Sequence, residues 1–273
     1  MKQLRTATPW LAALALTAFF YFSIYGLQSQ NKSAAAINMP DMGMHDMAKF
    51  WAFPIMQSAG LTALIMAWFS VALGLAQASA RTTRTFGFDI DKLHRHLGLI
   101  VLGLAFAHAF VDVWDAMGDS FLTNFWFNGW AKDWPQANLA YNLGVLSFYL
   151  LLLLAPTFYL RKKIGERTWR YAHRFVLVVY VMSVWHTLAL GADVAYYGWV
   201  RPFIWLAQLP LLWWFAQRMK QIASKATTKS IGKVTGFALQ YLSYLAIAGI
   251  IYLVVSRQYL HFVETFQTAP SIW

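Results

Sequence analysis

The chain has 273 residues, of which 59% are hydrophobic, 18% aromatic and only 12% charged, about half the charge of an ordinary soluble domain, which excludes a soluble globular fold. Cysteine is absent, so disulfides, thiolate zinc, cysteine-held iron–sulfur clusters and covalent haem attachment are excluded, and any metal must use His, Met or carboxylate. The net charge of +11 would suit a nucleic-acid binder, but its distribution along the chain gives it another meaning.

Apolar stretches predict transmembrane helices near residues 9–27, 51–77, 96–113, 139–160, 172–190, 202–217 and 237–255, each long enough, or nearly so, for a hydrocarbon core that takes about 20 helical residues. The first follows Lys2 and Arg5 and precedes the small residues Ser33 to Ala36, as a signal peptide would, but its run from Trp10 to Leu27 is long for a signal core and is read as a span. Between the first and second stretches, Met39 to Met47 holds four Met, His45, Asp41 and Asp46, a thioether and imidazole set that suits copper or a plain flexible loop. The sixth stretch carries Pro202 and Pro210, which membrane helices tolerate when neighbours satisfy the freed backbone groups.

Basic residues orient the bundle. With the N-terminus cytoplasmic, the inner segments hold Lys2 and Arg5, then Arg81, Arg84, Lys92 and Arg95, then Arg161, Lys162, Lys163, Arg167, Arg170 and Arg174, and last Arg218, Lys220, Lys225, Lys229 and Lys233. Only Lys32, Lys49, Lys132, Arg201 and Arg257 fall outside, so the charge is the positive-inside signal of a membrane protein and points to no nucleic acid. An odd number of spans leaves the C-terminus outside. Asp112, Asp115, Asp119, Asp133 and Asp193 make the outer face acidic. Trp residues near span ends form an aromatic belt.

Ionisable side chains within spans are costly and mark function. His94 and His108 stand 14 residues apart on the third stretch, and His173 and His186 stand 13 apart on the fifth, about 21 and 20 Å along a helix. The two spans run in the same direction, so His94 shares a depth with His173 near the cytoplasm, and His108 shares one with His186 near the outside. Two imidazoles facing one another at one depth can ligate a haem iron axially, and two levels form a ladder across the bilayer. Fourteen residues return to within about 40° of the starting face, whereas thirteen miss by about 140°, so the fifth span needs a tilt, a bulge or ligands reaching from different flanks. His96 is the alternative to His94 on the third span and is read as an interfacial or propionate-binding residue. Gly98 and Gly103 would make room for a flat macrocycle. Arg95, Arg170 and Arg174 at the inner level, and Arg201 at the outer, are candidate propionate partners by depth.

The segments Leu93-His94-Arg95-His96-Leu97-Gly98 through Ala107-His108, and Trp169-Arg170-Tyr171-Ala172-His173-Arg174 through Trp185-His186, resemble the ferric reductase-like transmembrane superfamily. That superfamily includes ferric reductases, the NADPH oxidases and the haem-binding membrane subunit of a periplasmic methionine sulfoxide reductase. The resemblance spans the first six stretches and implies a six-helix core binding two b-type haems through His94, His108, His173 and His186; of the basic residues chosen by depth, Arg95 and Arg174 are taken as cofactor-binding. Ferric reductases and oxidases continue into a flavin and nicotinamide domain, whereas here residues 219–236 form a cytoplasmic linker to a further span. Oxidases also carry a second outer His where this chain has Asp112, which argues against superoxide production.

The sequence therefore predicts an all-α integral membrane helical bundle of about seven helices. Residues 1–218 form a di-haem core, 219–236 a linker, and 237–273 an additional helix with a short outer tail. The expected function is the membrane cytochrome b component of an oxidoreductase in a bacterial inner membrane. Electrons would pass from a separate cytoplasmic flavoprotein (a flavin) or a quinol (a quinone) to ferric or cupric species or a periplasmic redox protein outside. An ion or proton transporter, or a haem-free membrane anchor, is the competing class.

Overall fold

A computed structural model describes residues 2–28, 51–77, 90–114, 135–191, 199–225 and 231–258. The Met-rich loop, the outer aspartates beyond Asp112 and the tail from residue 259 lie outside these segments, as do the side chain of Asp112 and residues 226–230 of the expected linker. The described residues are helical throughout: α1 Lys2–Gln28, α2 Ala52–Gln77, α3 Ile90–Val111, α4 Pro135–Leu154, α5 Thr157–Ile164, α6 Glu166–His173, α7 Val176–Leu190, α8 Val200–Lys225 and α9 Ile231–Val255, with a 3₁₀ turn at Asp112–Trp114 after α3. The protein is a multi-pass integral membrane protein. Five helical stretches are long and apolar enough to span, namely Ala7–Gly26, Ala52–Ala76, Ile90–Val111, Glu166–Leu190 and Ile231–Val255, and a sixth forms if Leu139–Leu154 and Thr157–Ile164 count as one span bent by 50°. The expected sixth stretch, 202–217, sits inside α8, which has the length of a span but is less apolar. Arg201, Gln208 and Gln217 interrupt its hydrocarbon face.

Helix neighbours define the architecture. α2 packs on α3, α3 touches α4, α4 packs on α7, and α7 returns to α2, which closes a square of four helices. α3 and α7 occupy one diagonal and are not among the closely packed pairs. α1 covers the α2–α3 side, α8 lies against α2 and α7, and α9 packs on α8. Two apolar clusters hold this frame: Val71 and Ala72 with Tyr180, Val184, Leu188, Ile204 and Leu211 join α2, α7 and α8. Ala13 with Met66, Leu97 and Ile100 joins α1, α2 and α3.

Within hydrocarbon every polar group needs an internal partner. Thr17 Oγ1 donates to Ala13 O at 2.8 Å and lies 3.2 Å from Thr62 Oγ1, which links α1 to α2. Tyr180 donates its hydroxyl hydrogen to Gln208 Oε1 at 3.0 Å. Pro210 cannot donate to Leu206 O and loosens the ladder of α8 there, and Trp68 Nε1 of α2 donates to Ala207 O at 2.7 Å in that region. Trp68→Phe removes this link and is expected to lower stability by about 1 kcal/mol, measured by thermal unfolding in detergent with the helix content unchanged. Gly236 lets α9 approach α8 closely, since a Cβ there would stand 2.9 Å from that of Ala223 and 3.1 Å from Met219 O. The turn between α5 and α6 rests on Gly165 at φ 85°, a conformation open chiefly to glycine.

Candidate metal-ligand pairs

Along the diagonal of the two helices that are not closely packed, two histidine pairs bridge the interior. The ring centroids of His94 and His173 are 5.9 Å apart with planes at 83°, and those of His108 and His186 are 6.1 Å apart with planes at 84°. Two imidazoles sharing one ion through metal–nitrogen bonds of about 2 Å have centroids a little over about 6 Å apart. Each pair therefore has a separation at which two imidazoles could hold one ion between them.

The other diagonal supplies the supports. His94 Nδ1 lies 3.0 Å from Ser70 O and 3.3 Å from Ser70 Oγ, His108 Nδ1 lies 2.9 Å from Met56 O, and His186 Nδ1 lies 3.0 Å from Ala140 O. A carbonyl oxygen only accepts, so Nδ1 carries the hydrogen in all three and the lone pair is left on Nε2. This orients the ring and raises its basicity as a ligand.

Four residues beyond each accepting carbonyl stands a glycine under the same ring. A Cβ on Gly144 would meet His186 Nδ1 at 2.5 Å, one on Gly60 would meet His108 Nδ1 at 2.8 Å, and one on Gly74 would lie 3.5 Å from His94 Cε1. Gly60 and Gly74 repeat the 14-residue interval of His108 and His94, because α2 and α3 run antiparallel in constant register. That shared interval is readable in the sequence, but it points to a pair only once the two helices are known to be neighbours. The glycines, the carbonyls and Trp169 are the site components that sequence reading missed.

The 13-residue misfit on the fifth span is largely offset by a change of winding. α6 ends at His173, and Arg174, Phe175 and Leu177 donate their N–H to Tyr171 O, Ala172 O and Arg174 O at 3.2, 3.0 and 3.2 Å. These bonds span three residues rather than four. Three residues per turn adds about 20° per residue over the α-helix, or about 100° across some five residues, against the misfit of about 140°.

His96 turns away from the interior: it accepts a hydrogen bond from Trp10 Nε1 of α1 at 3.3 Å, with the rings edge to face at 6.5 Å. Gly98 lies about 40° around α3 from His94, and nothing stands within 4 Å of a Cβ built there. Gly103 is also open but exposed, about half a turn from His94. Arg95 is exposed, its Nε donating to Asp91 O at 3.2 Å and its guanidinium 5.5 Å from the Phe158 ring centroid. Arg174 is exposed over Tyr171 at 5.0 Å, and Arg170 pairs with Glu166 at 3.4 Å. Arg201 is buried at the first turn of α8.

Residues 59–184 match the family model described as "Ferric reductase like transmembrane component". The match is just under half of the chain and covers the stretch from α2 to α7 that carries His94, His108, His173 and the three glycines, ending two residues before His186. No curated protein and no solved structure matches the chain.

Proposed function

We propose that this chain, ferric reductase-like over residues 59–184, is a transmembrane electron-transfer protein with two b-type haems. His94 and His173 would hold the inner one, and His108 and His186 the outer one. The observation that carries the reading is the pair of centroid separations, 5.9 and 6.1 Å, across two helices that are not among the closely packed pairs. Three further features support a flat bound group. Gly98 leaves open space about 40° around α3 from His94, three imidazoles are oriented by a carbonyl at Nδ1, and Trp169 Nε1 is buried with no hydrogen-bond partner among the described residues.

Haem, when bound, supplies one-electron chemistry. The protein's part is to hold two imidazoles per level in fixed tautomers, to keep water out of the interior of the four-helix square, and to set the levels about 20 Å apart along the helices. Arg95 and Arg174, placed by depth at the inner level and lying over Phe158 and Tyr171, would be the cationic partners of the inner group, and buried Arg201 would serve the outer level. With the N-terminus cytoplasmic, α8 also crosses and α9 returns the chain to the outside. The exposed basic residues of α5 and α6, Lys162, Lys163, Arg167 and Arg170, then face the side from which a flavoprotein or quinol gives electrons. The acceptor lies outside, as a ferric or cupric species or a redox protein, and the membrane is a bacterial inner membrane.

The test is the haem content of the full chain purified in detergent from haem-supplied cells. Two b haems per chain with low-spin bis-imidazole spectra are expected, and the near-perpendicular ring planes should give a strongly anisotropic low-spin electron paramagnetic resonance signal. A colourless protein would overturn the reading.

A further inference from the structure

Of the four histidines, His173 is supported differently. The constant antiparallel register of α4 with α7, which sets Ala140 O and Gly144 against His186, would set Leu153 O and Thr157 against His173. At that point the helix is interrupted at Ala155 and Pro156 and bends by 50°. Thr157 stands where the other three sites have glycine, its hydroxyl donating to Leu154 O at 2.6 Å. His173 makes no hydrogen bond among the described residues. In place of the carbonyl, Trp169 lies flat on its ring one turn earlier on the same helix, with centroids 5.1 Å apart and planes at 22°. Phe158 closes the other edge of Trp169 at 6.1 Å.

These two supports constrain the imidazole differently. A hydrogen bond from Nδ1 fixes the rotation of the ring and its tautomer, whereas a stacked neighbour limits the tilt of the ring but lets it slide and turn in its own plane. His173 also ends α6 directly before the retightened turn at Arg174 and Phe175, so its backbone lies at a junction. We propose that Trp169 is the positioning residue for His173, and that this stacking support makes the inner level the one whose ligand exchanges, while the outer level stays closed. The inference rests on the di-haem reading above. The exchange itself is a bond-for-bond replacement, in which an iron–Nε2 bond breaks and a bond from iron to an external ligand forms with no net electron transfer.

Carbon monoxide added to the dithionite-reduced full chain is the probe, with haem counted in every sample. Trp169→Leu, which keeps an apolar side chain but removes the stack, is expected to speed carbon monoxide binding up to about tenfold at one haem of the two, and Trp169→Phe is expected to restore the slow rate. The second haem should remain low-spin and unreactive in all three proteins. If Trp169→Leu loses the inner haem altogether while Trp169→Phe keeps it, the ring is again what holds the ligand. Two haems with carbon monoxide kinetics equal to the unmodified protein in Trp169→Leu would overturn the proposal and leave the di-haem reading intact. So would loss of haem in both variants alike, since that is a packing defect. An unmodified chain without haem would instead overturn the di-haem reading, and this inference with it.

Discussion

Gly144→Ala is expected to empty the outer level and leave one haem per chain. The added methyl would stand 2.5 Å from His186 Nδ1, 2.7 Å from Cε1 and 3.1 Å from Cγ, so three ring atoms are engaged at once. The ring cannot turn aside cheaply, because its Nδ1 is bonded to Ala140 O at 3.0 Å, and α4 and α7 are packed together. Overpacking of this kind costs about 1–3 kcal/mol, and here it also breaks the bond that keeps Nε2 turned inward. The same substitution at Gly60 meets His108 at 2.8 and 3.1 Å and should weaken the outer level less severely, whereas Gly74→Ala makes only an ordinary contact of 3.5 Å with His94 and should retain both haems. The measurement is a haemochrome count across the three variants at matched folding. Equal losses in all three would show that the glycines act through general helix packing and not through the rings beneath them.

The second large effect separates two histidines that stand two residues apart. His94→Ala leaves His173 without a facing imidazole and should remove the inner haem and, with it, transmembrane electron transfer from a cytoplasmic reductant to an external ferric chelate. His96→Ala should keep two haems and normal transfer, because His96 faces α1 and only releases Trp10 Nε1 from a bond of 3.3 Å, at a cost of about 1 kcal/mol or less. Reconstituted vesicles with reductant inside and chelate outside read both variants. Retained transfer in His94→Ala with loss in His96→Ala would reverse the ligand assignment.

Much of this site is visible along one helix at a time. The number and length of apolar runs, the basic bias of alternate segments and the matched depths of His94 with His173 and of His108 with His186 follow from rise per residue and the cost of charge in hydrocarbon. So does the 13-residue misfit, which the sequence exposes without its remedy. The remedy, a tight turn at 171–177, depends on hydrogen bonds that Arg174, Phe175 and Leu177 could equally have made in α-helical form.

Other features were out of reach because they are relations between helices. Gly98 and Gly103 look alike in sequence, yet one faces the interior beside His94 and the other is exposed. Arg95 and Arg174 were placed by depth, and the structure adds that each lies over an aromatic ring. The stretch 202–217 is apolar enough to notice, but α8 extends through it to Lys225, with Ala207 O and Gln208 Oε1 accepting hydrogen bonds from α2 and α7.

By itself, then, the sequence determined a helical membrane bundle and the histidine spacing along each helix, because composition and periodicity act residue by residue. Tertiary structure alone decided that the histidines matched in depth come within ring contact, which carbonyls orient them and which glycines lie under their rings. Those choices depend on the register of helices distant in sequence, and register is set by how closely two backbones can approach, a property of the pair and not of either chain segment.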